Sequence, residues 1–213
     1  MKRPRILLAD DHRLVAEGLR SLLQREFDLV GVVEDGRSLV ETARKLLPDV
    51  VVADIGMPVL NGLEALNQLK KENPRLKVVM MTMHREPAYA RRALEAGASG
   101  FVLKHSAAEE LITAIRAAME GKTYLTPAIA AEVFKDLQRG ANNSATPMSS
   151  LTARQREILQ LLAEGLSAKE IATQLAISAR TVEFHKYQMM ETLEIHSTAE
   201  LVHYALKHGI TPM

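Results

Sequence analysis

Cysteine is absent from the 213 residues. That excludes disulfides and thiolate metal sites, and it suits a cytoplasmic address. No apolar run approaches the roughly 20 residues that a transmembrane helix needs, so no membrane association is expected. The basic start Met1-Lys2-Arg3-Pro4-Arg5 leads into one short apolar segment and then acidic residues, and no secretory leader is expected. Charge of one sign is missing too. Lys and Arg number 27 against 26 Asp and Glu, so net charge gives no indication of a nucleic-acid partner. Internal repeats are not found. The one polar, breaker-rich stretch is Gly140 to Pro147, which reads as a linker. What is present is the composition of an ordinary globular protein, long enough for one large domain or two small ones.

The two sides of the linker differ. Up to about Tyr124, short apolar runs alternate with helical spacing. The runs are Ile6 to Ala9, Leu29 to Val33, Val50 to Ala53, Val78 to Met81 and Phe101 to Leu103. Between them, apolar residues recur at helical intervals, as in Val15, Leu19, Leu22 and Leu23. Ser38 with Glu41 and Ser106 with Glu109 have the spacing of capping boxes. Five strands alternating with five helices predict a parallel sheet covered on both faces, because strands buried on both sides read as continuous apolar runs. Such sheets bind ligands at the carboxyl ends of their strands.

Those ends carry Asp10 and Asp11, then Asp54, Thr82 and Lys104. Three convergent carboxylates repel one another unless a cation joins them. A few hard oxygen donors suit Mg²⁺, which keeps waters and leaves room for phosphate oxygens. A lysine holds a phosphate as a point charge, and a threonine hydroxyl donates to one. A carboxylate nucleophile then forms an acyl phosphate. Each of these residues alone reads more plainly as a helix cap or a solvated loop residue; the set of them carries the reading.

Asp10-Asp11, Asp54-Ile55-Gly56-Met57-Pro58, Thr82 and Gly100-Phe101-Val102-Leu103-Lys104 together resemble the receiver domain of two-component response regulators, a flavodoxin-like five-stranded fold. The resemblance implies that Asp54 accepts a phosphoryl group from a sensor histidine kinase. It implies Mg²⁺ ligation by Asp11, Asp54 and the Gly56 carbonyl, with Asp10 close by, and pairing of Lys104 with the phosphoryl group. It also implies a switch pair, Thr82 moving toward the phosphate and Phe101 packing inward behind it.

Beyond the linker only helices are predicted, with capping-box spacing at Thr152/Gln155, Ser167/Glu170 and Ser197/Glu200. A helix from Ser167, a tight turn at Ala176-Ile177 and a second helix capped by Ser178 read from periodicity alone either as a small helical docking domain or as a helix-turn-helix, a motif whose second helix enters the major groove of DNA. Val182, His185, Met189 and Leu193 form its inner stripe. Leu151 to Leu159, Lys169-Glu170-Ile171-Ala172, Thr181 to His185 and Ala199 to Val202 are similar to the four-helix LuxR-type module of NarL/FixJ regulators. The candidate DNA contacts are Lys169, Arg180, Thr181, Phe184, Lys186 and Tyr187. Residues 151–213 hold six Lys and Arg against seven Glu, a poor basic balance for a DNA binder. Glu183 and Tyr187 stand where the family often has lysines, and Glu194 where it often has glycine.

The expected organisation is a receiver over 1–125, a helical extension and linker over 126–148, and a DNA-binding domain over 149–213. The expected activity is phosphorylation-controlled binding of double-stranded DNA and control of transcription, with a homodimer formed on phosphorylation. No enzymatic turnover is expected. Two alternatives stand beside this reading. In one the helical module docks a protein instead of DNA. In the other Asp54 is the nucleophile of a phosphatase or mutase. His84 and His105 read as exposed loop residues, His185 as a structural one, and the methionines as core filler.

Overall fold

A computed structural model describes residues 3–106, 108–138 and 150–210. The Gly140–Pro147 stretch lies outside the described residues, as does Ala107, next to the predicted Ser106/Glu109 cap. The chain divides into two compact units.

The N-terminal unit holds strands β1 (Arg5–Ala9), β2 (Asp28–Val33), β3 (Val50–Asp54), β4 (Lys77–Thr82), β5 (Gly100–Leu103) and β6 (Tyr124–Leu125). They form one parallel sheet in the order β2-β1-β3-β4-β5-β6. Its helices are α1 (Arg13–Glu26), α2 (Gly36–Leu46), α3 (Gly62–Glu72), α4 (Pro87–Glu95), α5 (Ala108–Met119) and α6 (Pro127–Gln138). On one face, Ile6, Leu8, Val50, Val52, Val79 and Val102 pack against Leu23 and Phe27 at the α1 end and Leu111, Ala114 and Ile115 of α5. The intervening strand residues Leu7, Val51, Val78, Met80 and Phe101 are buried as well. Their side chains point to the opposite face, the side of α2 and α3. Burial on both faces is why the sequence shows apolar runs here instead of alternation.

Two expectations are corrected. The sheet has six strands, not five. Gly121, at φ 76°, turns the chain after α5, and Tyr124 and Leu125 then pair with Gly100 and Phe101; a two-residue strand has no periodicity to read. The α2 cap is Asp35, not Ser38. The Asp35 carboxylate accepts from the Ser38 amide at 2.8 Å and from the Ser38 hydroxyl at 2.6 Å. A charged acceptor one turn earlier outcompetes a hydroxyl, so the helix starts at Gly36.

The C-terminal unit contains α7 (Ala153–Ala163), α8 (Ala168–Gln174), α9 (Ala179–Thr192) and α10 (Thr198–Lys207). Its core gathers Leu151, Ile158, Ile171, Val182, Met189 and Leu201. Thr152/Gln155 and Ser167/Glu170 close full capping boxes. Ser197 caps α10, but the Glu200 carboxylate reaches back to the His196 amide instead of that of Ser197. Ala176, at φ 52°, makes the tight turn between α8 and α9.

Candidate functional site

Strand order reverses between β1 and β3, which opens a crevice at their carboxyl ends. Asp10 and Asp11 follow β1, Asp54 closes β3, and Lys104 follows β5. Asp10 is fully buried and Asp54 is 3% exposed. The Lys104 ammonium lies 2.7 Å from Asp54 Oδ2, donating a hydrogen bond, and 2.8 Å from Asp10 Oδ2. Its backbone N–H donates a hydrogen bond to the Thr82 carbonyl at 2.8 Å. The crevice therefore joins the predicted Asp10, Asp11, Asp54 and Lys104.

Burial pushes the Asp54 carboxyl above its ordinary value. Lys104 and an amide hydrogen bond from Gly56 oppose that, while the charge on Asp10 adds to it. Asp11 Oδ1 and Asp10 Oδ2 are buried oxygens without a hydrogen-bond partner; Lys104 meets the second as an ion pair only. Three carboxylates with one ammonium leave excess negative charge in a desolvated place. A divalent cation with oxygen ligands fits that donor set.

The proposed switch residues lie differently. Thr82 ends β4, and its hydroxyl accepts from the His84 amide at 3.0 Å. Phe101 is fully buried in β5 beside Met80 of β4, so in this conformation it belongs to the core and not to the crevice wall.

Two residues at the site were not singled out from the sequence. His12, directly after the aspartate pair, puts Nδ1 3.0 Å from Asp11 Oδ1 and 3.3 Å from Asp10 Oδ1; its place after strand one was a usable signal. Gly62 is the other. Its amide donates to the Ile55 carbonyl at 2.9 Å. A Cβ there would overlap the Asp54 carbonyl oxygen and stand 2.9 Å from Met80 Cε. In the structure Asn61 caps α3, accepting from the Glu64 amide at 3.0 Å, and nothing local in the sequence reports a neighbour on β3. Gly62→Ala is expected to destabilise the N-terminal unit by about 1–3 kcal/mol and to displace Asp54. A urea denaturation curve checks the first effect. An unchanged midpoint would mean that the β3–α3 connection yields freely.

In the C-terminal unit Arg180, Phe184 and Tyr187 form an exposed stripe on α9, and Lys169 is exposed on α8. Phe184 is 57% and Tyr187 65% exposed, unusual for large rings with no partner surface. Thr181 is occupied by the cap, its amide and hydroxyl bound to Ser178. Lys186 pairs with Glu183 at 2.5 Å and lies over the Tyr187 ring. Glu194 follows α9 at φ 55°, the left-handed region where glycine is favoured.

Comparison with known proteins agrees with both units. The response regulator receiver domain family matches residues 6–116, and the luxR family of bacterial regulatory proteins matches residues 149–205. Response regulator UvrY of Escherichia coli (strain K12) is 33% identical over 207 residues, covering 96% of this chain and 94% of that protein. A structure of the Salmonella typhimurium RcsB response regulator, on conformational dynamism for DNA interaction, aligns over 100% of both chains at 27% identity with a TM-score of 0.65. A structure of two RcsB dimers bound to two parallel DNAs aligns over 95% of this chain and 98% of that one, at 27% identity and a TM-score of 0.61. The chain belongs to the two-component response regulators of the NarL/FixJ family, with an α/β receiver followed by a LuxR-type helix-turn-helix DNA-binding domain.

Proposed function

We propose that Asp54 is the phosphoacceptor of this regulator, that a sensor histidine kinase supplies the phosphoryl group, and that phosphorylation controls binding of the C-terminal domain to specific DNA and thereby transcription. The observation that carries it is Asp54 itself: a buried carboxylate 2.7 Å from Lys104, beside two more carboxylates, at the sheet's switch point. An Asp54 oxygen attacks phosphorus, the bond to the donor's imidazole nitrogen breaks, and the imidazole leaves with the electron pair. Asp11, Asp54 and the Gly56 carbonyl would hold Mg²⁺, with Asp10 adjacent. Bound there, the ion neutralises charge on the transferring phosphoryl oxygens. Lys104 would leave its carboxylate partners for the phosphoryl group. The Thr82 hydroxyl would exchange the His84 amide for a phosphate oxygen, with Phe101 as the packing element behind it. One phosphoryl group per chain is stored, without turnover, in a regulator acting in the bacterial cytoplasm.

The domains are taken as 1–125 and 149–213, joined by 126–148. Residues 140–147 have the polar, breaker-rich composition of a linker, which by itself transmits no rigid torque, so we assign the signal to assembly: phosphorylation favours a homodimer through receiver helices, and the dimer engages paired half-sites. RcsB is bound to DNA as dimers in its structure, which supports this. The contacts would come from Lys169, Arg180, Phe184, Lys186 and Tyr187, with Thr181 at the helix start.

The test is genomic DNA selection with the phosphorylated protein, followed by a salt titration on the selected site. Three cations per subunit, Lys169, Arg180 and Lys186, neutralise about six phosphates in a dimer, so log affinity against log salt should fall with a slope of about −5 or shallower. Lys186 is already paired with Glu183, which pushes toward the shallow end. A slope steeper than about −8 would mean that other basic contacts exist. A specific observation, the net negative charge of residues 151–213, favours a second reading in which this domain docks a protein. Failure to enrich any sequence with the phosphorylated dimer would put that reading first.

A further inference from the structure

The carboxylates of the crevice share it with an imidazole. His12 is the N-cap of α1, yet its side chain makes no capping bond. Its amide donates to Asp10 Oδ1 at 2.9 Å, which fixes the backbone, and the ring leans into the crevice with about half its surface exposed. Nδ1 stands 3.0 Å from Asp11 Oδ1, 3.3 Å from Asp10 Oδ1 and 3.8 Å from Asp54 Oδ2. One ligand atom from each of these four residues lies within 4.8 Å of all the others.

These separations have a meaning in coordination chemistry. Donors about 2.1 Å from an octahedral ion are about 3.0 Å apart when adjacent and about 4.2 Å apart when opposed. The distances from Nδ1 to the three carboxylates fall across that span. The Lys104 ammonium approaches Nδ1 at 3.5 Å; with the ring proton on Nε2, Nδ1 presents a lone pair to it. A lone pair facing carboxylate oxygens is repelled unless a cation stands between them.

We propose that His12 is a further protein ligand of the divalent cation in this receiver, through Nδ1, and that it shifts the site toward Mn²⁺ and Co²⁺ relative to Mg²⁺. The inference rests on the phosphoacceptor site proposed above. Its chemistry is ligand softness. Carboxylate oxygens serve Mg²⁺ and Mn²⁺ alike, whereas imidazole adds affinity for transition ions and little for Mg²⁺. A nitrogen donor beside the phosphoacceptor would make phosphorylation of this regulator respond to the supply of transition metal.

The test uses the full chain loaded with Mn²⁺ at a fixed pH of about 8. Pulsed electron paramagnetic resonance should show coupling of bound Mn²⁺ to an imidazole nitrogen. His12→Ala should remove the coupling and weaken Co²⁺ binding by tenfold or more, since even outer partners of metal ligands are worth about 10–100-fold. Mg²⁺ affinity should change less than about twofold. Bound Mn²⁺ that Asp54→Ala releases but that shows no nitrogen coupling would overturn the role of His12 and leave the phosphoacceptor reading standing. Coupling that survives in His12→Ala would belong to another histidine and would also overturn it. If no divalent ion binds at all, both readings fall.

Discussion

Asp54→Asn is expected to reduce phosphoryl labelling of the chain by acetyl phosphate and Mg²⁺ to background. The amide keeps the shape of the carboxylate but is a poor nucleophile, and the neighbouring Asp10 and Asp11 retain their charges without the Lys104 hydrogen bond that marks Asp54. The fold should survive the change. Burial raises the Asp54 carboxyl above its ordinary value, so the folded state holds that proton more tightly than the unfolded chain. For a group raised in this way, the stability contribution is full below the unfolded value near pH 4 and is lost as pH rises through the folded value. Asparagine carries no charge to desolvate. In EDTA at pH 7 the variant should therefore unfold at the same temperature as the parent or higher, with the gap closing toward pH 4. Mass spectrometry of the labelled chain and a thermal melt read the two effects. Labelling that persists in the variant, or that ignores removal of Mg²⁺, would overturn the assignment of Asp54.

Lys104→Met should have the largest effect on stability. The lysine side chain is 2% exposed and meets both Asp54 and Asp10 within 2.8 Å. Methionine preserves most of the apolar stem and removes the charge, leaving two buried carboxylates facing each other. Breaking a buried pair in this way costs about 3–5 kcal/mol, because the remaining charge is uncompensated. Urea denaturation at pH 7 in EDTA measures it. The loss should shrink when Mg²⁺ is added, since the ion supplies the missing positive charge, and again as the pH falls into the range where carboxylates protonate. A loss below about 1 kcal/mol, the scale of an exposed pair, would show that water already screens the crevice.

Both expectations concern side chains that the sequence placed at strand ends and expected to converge, without the distances between them. Strand runs were legible because burial on two faces writes itself as consecutive apolar residues, as in Val50 to Ala53. The helical-domain caps were legible because a capping box needs only residues three positions apart, and Thr152/Gln155 and Ser167/Glu170 closed as expected. The α2 cap shows the limit of that rule. Ser38 and Glu41 had the spacing, but Asp35 offered a stronger acceptor to the same amide.

The sequence by itself determined the periodicities, the turn positions and the residue types at the strand ends, since each of these depends on neighbours within one turn or one strand. Tertiary structure alone decided how closely distant residues met and which others joined them. Lys104 and Asp54 are 50 residues apart along the chain and 2.7 Å apart in space. The Asp54 carbonyl leaves Gly62 no room for a Cβ. Tyr124 and Leu125 become a strand only because β5 presents an open edge to them. His12 gained its place among the carboxylates in the same way: β1 and β3 are neighbours in the sheet, and strand order is a property of the packed layers that no local window of residues contains.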